Sequence, residues 1–131
     1  LMENYFQEKH ITLQKKYETG VPEAPVDPTQ IKQVFLNILM NAVESMPDGG
    51  KLDVKIKSID GSVKIYIVDA GKGMKQDVLQ NIYDPFFTTK PSGTGVGLSV
   101  SLKIIEDHGG TIDAISEQGK GTTMLLTLPI K

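Results

Sequence analysis

The sequence predicts an α/β fold, a two-layer sandwich in which a mixed, mostly antiparallel sheet of about five strands is covered on one face by about three helices. Three observations carry this expectation. Apolar residues alternate with polar ones in several short segments, the pattern of a strand with one buried face. Two pairs of these segments are joined by short glycine turns, at Asp60-Gly61 and at Gln118-Gly-Lys-Gly121, which reads as two hairpins. Between the strand segments lie stretches of helical spacing, so the order is strand, long helix, hairpin, short helix, loop, helix, hairpin. At 131 residues the chain has the length of one domain with a proper core.

Residues 1–9 are polar and weakly helical, and are expected to be a linker or the end of an upstream helix. The folded domain then runs over 10–131. The opening Leu-Met-Glu reads as mid-protein, so the chain is expected to be a domain excised from something longer. Ile11, Leu13 and Tyr17 alternate in a first strand, which Gly20-Val-Pro-Glu-Ala-Pro25 stops. His10 reads as a surface histidine, since no acidic residue follows it. Asp27-Pro28-Thr29-Gln30 is a helix start: Asp caps, Pro fits the first helical position, and Gln three residues after the cap completes a capping box. Ile31, Val34, Phe35, Ile38, Ala42 and Met46 form the apolar stripe of that helix, and Pro47-Asp-Gly-Gly50 ends it. Asn37 and Asn41 lie one turn apart on its flank. Their amides need partners, either loop backbone or, through their carbonyl oxygens, a hard cation such as Mg²⁺.

Leu52, Val54 and Ile56 and then Val63, Ile65 and Ile67 give the first hairpin its buried face. The alternation places Asp69 on that same face. A buried carboxylate without a partner costs several kcal/mol, so Asp69 is expected to be deliberately partnered. After it, Asp69-Ala-Gly71-Lys-Gly73 lets the backbone approach closely. Lys75 to Ile82 has helical spacing. Tyr83 to Ser92 has no sustained period and reads as a loop anchored by Phe86 and Phe87, with Lys90 at its tip as a γ-phosphate partner. Gly93-Thr94-Gly95-Val96-Gly97-Leu98 then opens a helix running to Asp107. Alternate glycines free successive N–H groups, and the helix start adds its positive dipole end, which suits phosphates. His108 at the far end is expected to meet only the C-terminal dipole. Ile112 to Ser116 and Thr123 to Leu128 form the second hairpin, with Met124, Leu126 and Leu128 on its core face. The two glycine turns together suggest a nucleotide pocket with a base end and a phosphate end. Neither matches a dinucleotide fingerprint or a P-loop.

A formal net charge of -2 argues against a general role on nucleic acid or a membrane surface. The positive residues are 14 lysines and no arginine, so any phosphate contact is made by an ammonium or by backbone. Cysteine is absent, which removes disulfide and thiolate chemistry. No apolar run reaches the roughly 18 residues of a membrane span.

These motifs, in this order, resemble the ATP-binding catalytic domain of bacterial sensor histidine kinases, a branch of the gyrase, Hsp90, histidine kinase and MutL superfamily with its Bergerat-type ATP-binding fold. Asn37-Ile-Leu-Met-Asn41-Ala-Val-Glu-Ser-Met46 resembles the N box, and Asp69-Ala-Gly-Lys-Gly73 the first glycine box. Tyr83-Asp-Pro-Phe-Phe87 resembles the F box, Gly93-Thr-Gly-Val-Gly-Leu98 the second glycine box, and Gly119-Lys-Gly-Thr122 the last. The form of the N box, with Thr-Thr-Lys90, is similar to the nitrogen-sensing and sporulation-kinase group.

The resemblance implies ATP and Mg²⁺ as cofactors. Asp69 accepts the adenine amino hydrogen, Asn41 with Asn37 holds Mg²⁺, the loop from Phe87 to Gly95 is the ATP lid, and Thr122 supports the adenine end. Where the superfamily's ATPases carry a glutamate base, this chain has Asn37, which implies slow hydrolysis and a γ-phosphoryl kept for transfer. It further implies a cytoplasmic, monomeric domain that serves an upstream dimerisation and phosphoacceptor helical domain and a response regulator receiver domain. A serine-directed, anti-sigma-type kinase and a non-catalytic docking module remain the alternatives.

Overall fold

The computed structural model describes residues 3–20, 26–83 and 97–130. Its elements in chain order are α1 (Glu3–Glu8), β1 (Ile11–Tyr17), α2 (Pro28–Glu44), β2 (Gly50–Ile59), β3 (Ser62–Asp69), α3 (Gln76–Leu79), α4 (Gly97–Asp107), β4 (Thr111–Glu117) and β5 (Gly121–Pro129). The strands form one sheet in the order β1-β2-β3-β5-β4. β1 pairs parallel with β2, because α2 carries the chain back across the sheet between them. All other pairs are antiparallel, so the sheet is mixed and mostly antiparallel, as the patterning predicts.

The core lies between the helices and one face of the sheet. Strand alternation delivers Leu52, Ile65, Ile67, Met124, Leu126 and Leu128 to it, while α2 adds Ile31, Val34, Ile38, Ala42 and Val43 and α4 adds Ile104 and Ile105. Leu52, Val34 and Ile105 are completely shielded, and truncating Leu52 or Ile105 to Ala removes about 2–5 kcal/mol. The β2–β3 connection is a two-residue turn in which Asp60 and Gly61 both have positive φ, 51° and 77°, the combination that matches strand twist in a hairpin.

Three local outcomes differ from the sequence reading. Residues 3–8, read as polar and weakly helical with no core role, form α1, whose Phe6 is buried in the core against β1. The capping box at α2 is half made: the Asp27 carboxylate accepts the N–H groups of Thr29 (2.9 Å) and Gln30 (3.3 Å), but the Asp27 N–H goes to His108 Nε2 at 3.1 Å and not back to Gln30. His108 consequently does more than face a dipole. With Nε2 accepting, the ring proton sits on Nδ1, which donates to the Ile104 carbonyl at 2.7 Å. The imidazole thus ties the end of α4 to the start of α2, a tertiary contact that local sequence does not encode. The third is α3, which closes after four residues where the spacing predicts about eight.

Candidate nucleotide site

The site is built at the end of β3. Register sets Asp69 opposite Leu52 on one side and Thr122 on the other, on the core face of the sheet, where it is 8% exposed. Its Oδ1 accepts the N–H of Gly71 at 2.9 Å and of Thr122 at 3.2 Å, and the Ser45 hydroxyl stands beside the carboxyl while donating to the Ala42 carbonyl at 2.7 Å. Burial pushes the Asp69 pKa above its ordinary value. The Gly71 and Thr122 hydrogen bonds, and more weakly the adjacent Ser45 hydroxyl, pull the other way without offsetting the loss of water.

The glycine turn after Asp69 is sewn to two other elements. Lys72 N–H donates to the Ser45 carbonyl at 3.2 Å, next to the end of α2, and Gly119 N–H donates to the Lys72 carbonyl at 2.7 Å from the β4–β5 turn. Both glycines are needed. A Cβ at Gly71 would run into Ser45, and Gly73 combines a φ of 68° with the Glu117 carbonyl where a side chain would start. Met74 N–H then donates to Ser116 Oγ at 2.9 Å, and Ser116 Oγ shares a 2.7 Å hydrogen bond with Thr122 Oγ1. Sequence reasoning missed Ser116. The signal was there: it continues the buried face of β4 after Ile112 and Ala114, as Asp69 continues that of β3.

Asp69 and Thr122 stand in the wall of a cavity of about 440 Å³. Its apolar lining comes from Ile38 and Ala42 of α2, Ile67 of β3, Met124 of β5, Val78 and Ile82 beyond the glycine turn, and Leu98 of α4. An apolar cavity of this size with a few convergent polar groups suits a small molecule with a flat ring. Gly73 and Lys72 also line it.

The two asparagines of α2 part company. Asn41 lines the cavity. Asn37, one turn earlier, faces α4: its Nδ2 donates to Ser101 Oγ at 3.1 Å, and its Oδ1 accepts from Gln33 Nε2 at 3.0 Å. Ser101 is completely buried, and its hydroxyl gives the α2–α4 contact a polar anchor. Among the described residues no group of three or more His, Cys, Asp or Glu side chains could enclose a metal. Asn41 brings a side-chain amide to the cavity wall, in the same turn of α2 as Glu44 and Ser45, which also line it.

Among the described residues α4 runs from Gly97, and Leu98 in its first turn lines the cavity. Lys90, Gly93, Thr94, Gly95 and Val96, with Phe86 and Phe87, lie outside the described residues. Tyr83, the first residue of the F-box resemblance, has its phenol pushed up to about 12 by burial and, secondarily, by the negative charge of Asp113. Among the described residues no helix is long and apolar enough to cross a membrane.

Comparison with known proteins agrees with this geometry. The model of the family described as histidine kinase-, DNA gyrase B-, and HSP90-like ATPase matches residues 26–131. Sporulation kinase E of Bacillus subtilis (strain 168) is 48% identical over 123 residues, which cover 93% of this chain and 17% of that protein. Sensor histidine kinase ZraS of Escherichia coli (strain K12) is 41% identical over 122 residues, 93% of this chain and 26% of that protein. The chain thus spans about a quarter or less of these two relatives. Among solved structures, the nucleotide-free catalytic domain of histidine kinase ThkA superposes with a TM-score of 0.86 at 31% identity, covering 98% of this chain and 84% of that one. Full-length ShkA in complex with AMPPNP superposes with a TM-score of 0.87 at 26% identity, covering 98% of this chain and 27% of that one. The chain belongs to the histidine kinase-, DNA gyrase B- and HSP90-like ATPase family, with sensor histidine kinases among its relatives.

Proposed function

We propose that this domain binds ATP with Mg²⁺ and donates the γ-phosphoryl group to a histidine on a separate dimerisation and phosphoacceptor helical domain, as the kinase half of a two-component signalling pair. The observation that carries the reading is Asp69: a buried carboxylate, aimed by two backbone amides, in the wall of an apolar cavity. An adenine amino group is the kind of donor such a carboxylate accepts, and the apolar lining takes the ring faces. Thr122, held by Ser116, supports the same end.

Asn41 offers its amide oxygen to the metal, with Asn37 one turn behind it on the seam with α4. Bound Mg²⁺ would neutralise phosphate charge and hold the triphosphate in one geometry. Gly97 and Leu98, with Gly93, Thr94, Gly95 and Val96 before them, provide backbone amides to the phosphates, and Lys90 provides an ammonium. In the transfer, a nitrogen of the acceptor imidazole bonds to the γ-phosphorus as the bond to the β–γ bridging oxygen breaks. ADP leaves with that electron pair, and a base outside this chain takes the imidazole proton. Asn37 bears no basic group, so it does not activate water. A positioned base is worth about 10²–10⁴-fold in rate, and without one hydrolysis stays slow. ThkA has been crystallised in complex with response regulator protein TrrA, and a receiver domain is the proposed next acceptor here.

The test is phosphotransfer from γ-labelled ATP to a histidine-bearing helical domain. The expected product is lost in acid. An acid-stable product would replace histidine by serine as the acceptor, and a chain that takes up no Mg-ATP would be a docking module instead.

A further inference from the structure

The face of the sheet turned away from the helices carries a charge pattern that the nucleotide site does not use. On β1, β2 and β3 the positions alternating with the core residues include Lys16, Lys51, Lys55, Lys57 and Lys64. In register, Lys16 faces Lys55 across β1 and β2, and Lys57 faces Lys64 across β2 and β3. Like charges directly opposite one another destabilise a sheet. Lysines on edge strands guard against stray pairing, but β2 and β3 are interior strands. Ion pairing does not account for them either: among the described residues the lysine–carboxylate pairs are Lys103–Asp107 and Lys120–Glu117.

Neutral groups hold two of these ammoniums down on the sheet. Lys57 Nζ lies 5.4 Å from the centroid of the Tyr66 ring, and Lys64 Nζ donates to Thr127 Oγ1 at 3.4 Å. Tyr66 and Leu125, paired across β3 and β5, are half-buried at the centre of the face.

We propose that the β1–β3 part of this open sheet face docks an acidic protein surface, whose carboxylates meet the two lysine pairs beside Tyr66 and stay clear of Asp113, which lies beyond Leu125 on β4. The charge complementarity is local, since the chain as a whole carries -2. An aromatic and apolar centre inside a charged rim is the anatomy of a protein–protein interface. Ammoniums tied to the sheet suit a shaped partner, because little side-chain entropy is left to lose on binding. They suit a lipid surface less well, since their heads do not project. Nucleic acid suits the face less well too, since it has no arginine to grip phosphate oxygens in pairs.

The test is fluorescence anisotropy of a labelled poly-L-glutamate peptide titrated with this chain, with backbone NMR shifts to locate the contact. The peptide is expected to bind, with shifts on β1 to β3. Lys57→Glu with Lys64→Glu is expected to weaken it about tenfold or more. That double reversal keeps one like-charge pair in place of another and gives up only the contacts to Tyr66 and Thr127, so a small loss of melting temperature with a folded NMR spectrum is expected. Lys16→Gln with Lys55→Gln serves as a second, milder pair. Lys103→Gln, on α4, should leave peptide binding unchanged. The proposal is overturned by a peptide that fails to bind, by equal binding to wild type and both double variants, or by tighter binding of phosphatidylserine vesicles or duplex DNA to this face.

Discussion

The two walls of the cavity are held by different bonds. On the sheet side, register brings the Thr122 N–H to the Asp69 carboxylate, which also accepts the Gly71 N–H, and the Gly71–Gly73 turn is held by backbone bonds to Ser45 and Gly119. On the helix side Asn41 lines the cavity, and behind it Asn37 is held by side chains, Ser101 across the α2–α4 seam and Gln33 one turn back. Backbone locks move only if a strand slips, and a slip by one residue would turn every core side chain outward. A side-chain bond is lost by changing one residue. The Asp69 end is therefore fixed largely by backbone groups, and the seam between α2 and α4 is the part that a change of side chain can tune.

The largest expected effect is at the Asp69 end. Asp69→Ala should lower ATP affinity by at least about 100-fold, or nearly 3 kcal/mol, in a calorimetric titration. It removes the carboxylate and strands two amide donors. Asn41→Ala should keep measurable nucleotide affinity and lose phosphotransfer to a histidine-bearing domain. Equal transfer by wild type and variant would sink the metal role of Asn41. Gly73→Ala should cost about 2 kcal/mol or more in denaturant unfolding, because positive φ and the Glu117 carbonyl both oppose a side chain. Ser116→Ala and Asn37→Ala should each cost about 1–2 kcal/mol. Only the first should also weaken nucleotide binding, since Ser116 orders Thr122 whereas Asn37 faces α4.

Asp69→Asn separates charge from shape. The folded-state pKa of Asp69 is raised, so the protonated form favours folding, and that contribution is lost as pH rises from the ordinary value of 3.8 through the raised one. Melting curves of the Asn variant should therefore gain on wild type as pH rises toward neutrality, with ATP binding impaired throughout. A variant that loses ground to wild type over that range would show that the amides outweigh burial. The smallest effect belongs to the exposed Lys103–Asp107 pair, where Lys103→Ala should change stability by less than about 0.5 kcal/mol.

Much of the fold was legible because its signals are local and periodic. Alternation marks the buried faces of β2, β3 and β5, and Asp27 with Pro28 marks the start of α2. Asp69 was legible for the same reason, as an acid continuing an apolar face, with glycines after it that only a close backbone approach requires. Phe6 was not: a single aromatic in a polar stretch becomes core only when β1 and α2 are there to receive it.

By itself the sequence determined the buried faces of the strands and of α2, which follow from the two-residue and 3.6-residue periods of the chain, and where the two glycine turns lie; that Asp69 and the asparagine helix share one pocket was implied by the family resemblance. Tertiary structure alone decided how polar groups remote in sequence divide the remaining hydrogen bonds. It gave the Asp27 N–H to His108, turned Asn37 to Ser101 while Asn41 lines the cavity, and set lysine against lysine on the open face. A hydrogen bond is chosen by whichever partner the packing brings within about 3 Å, and no local pattern records that distance.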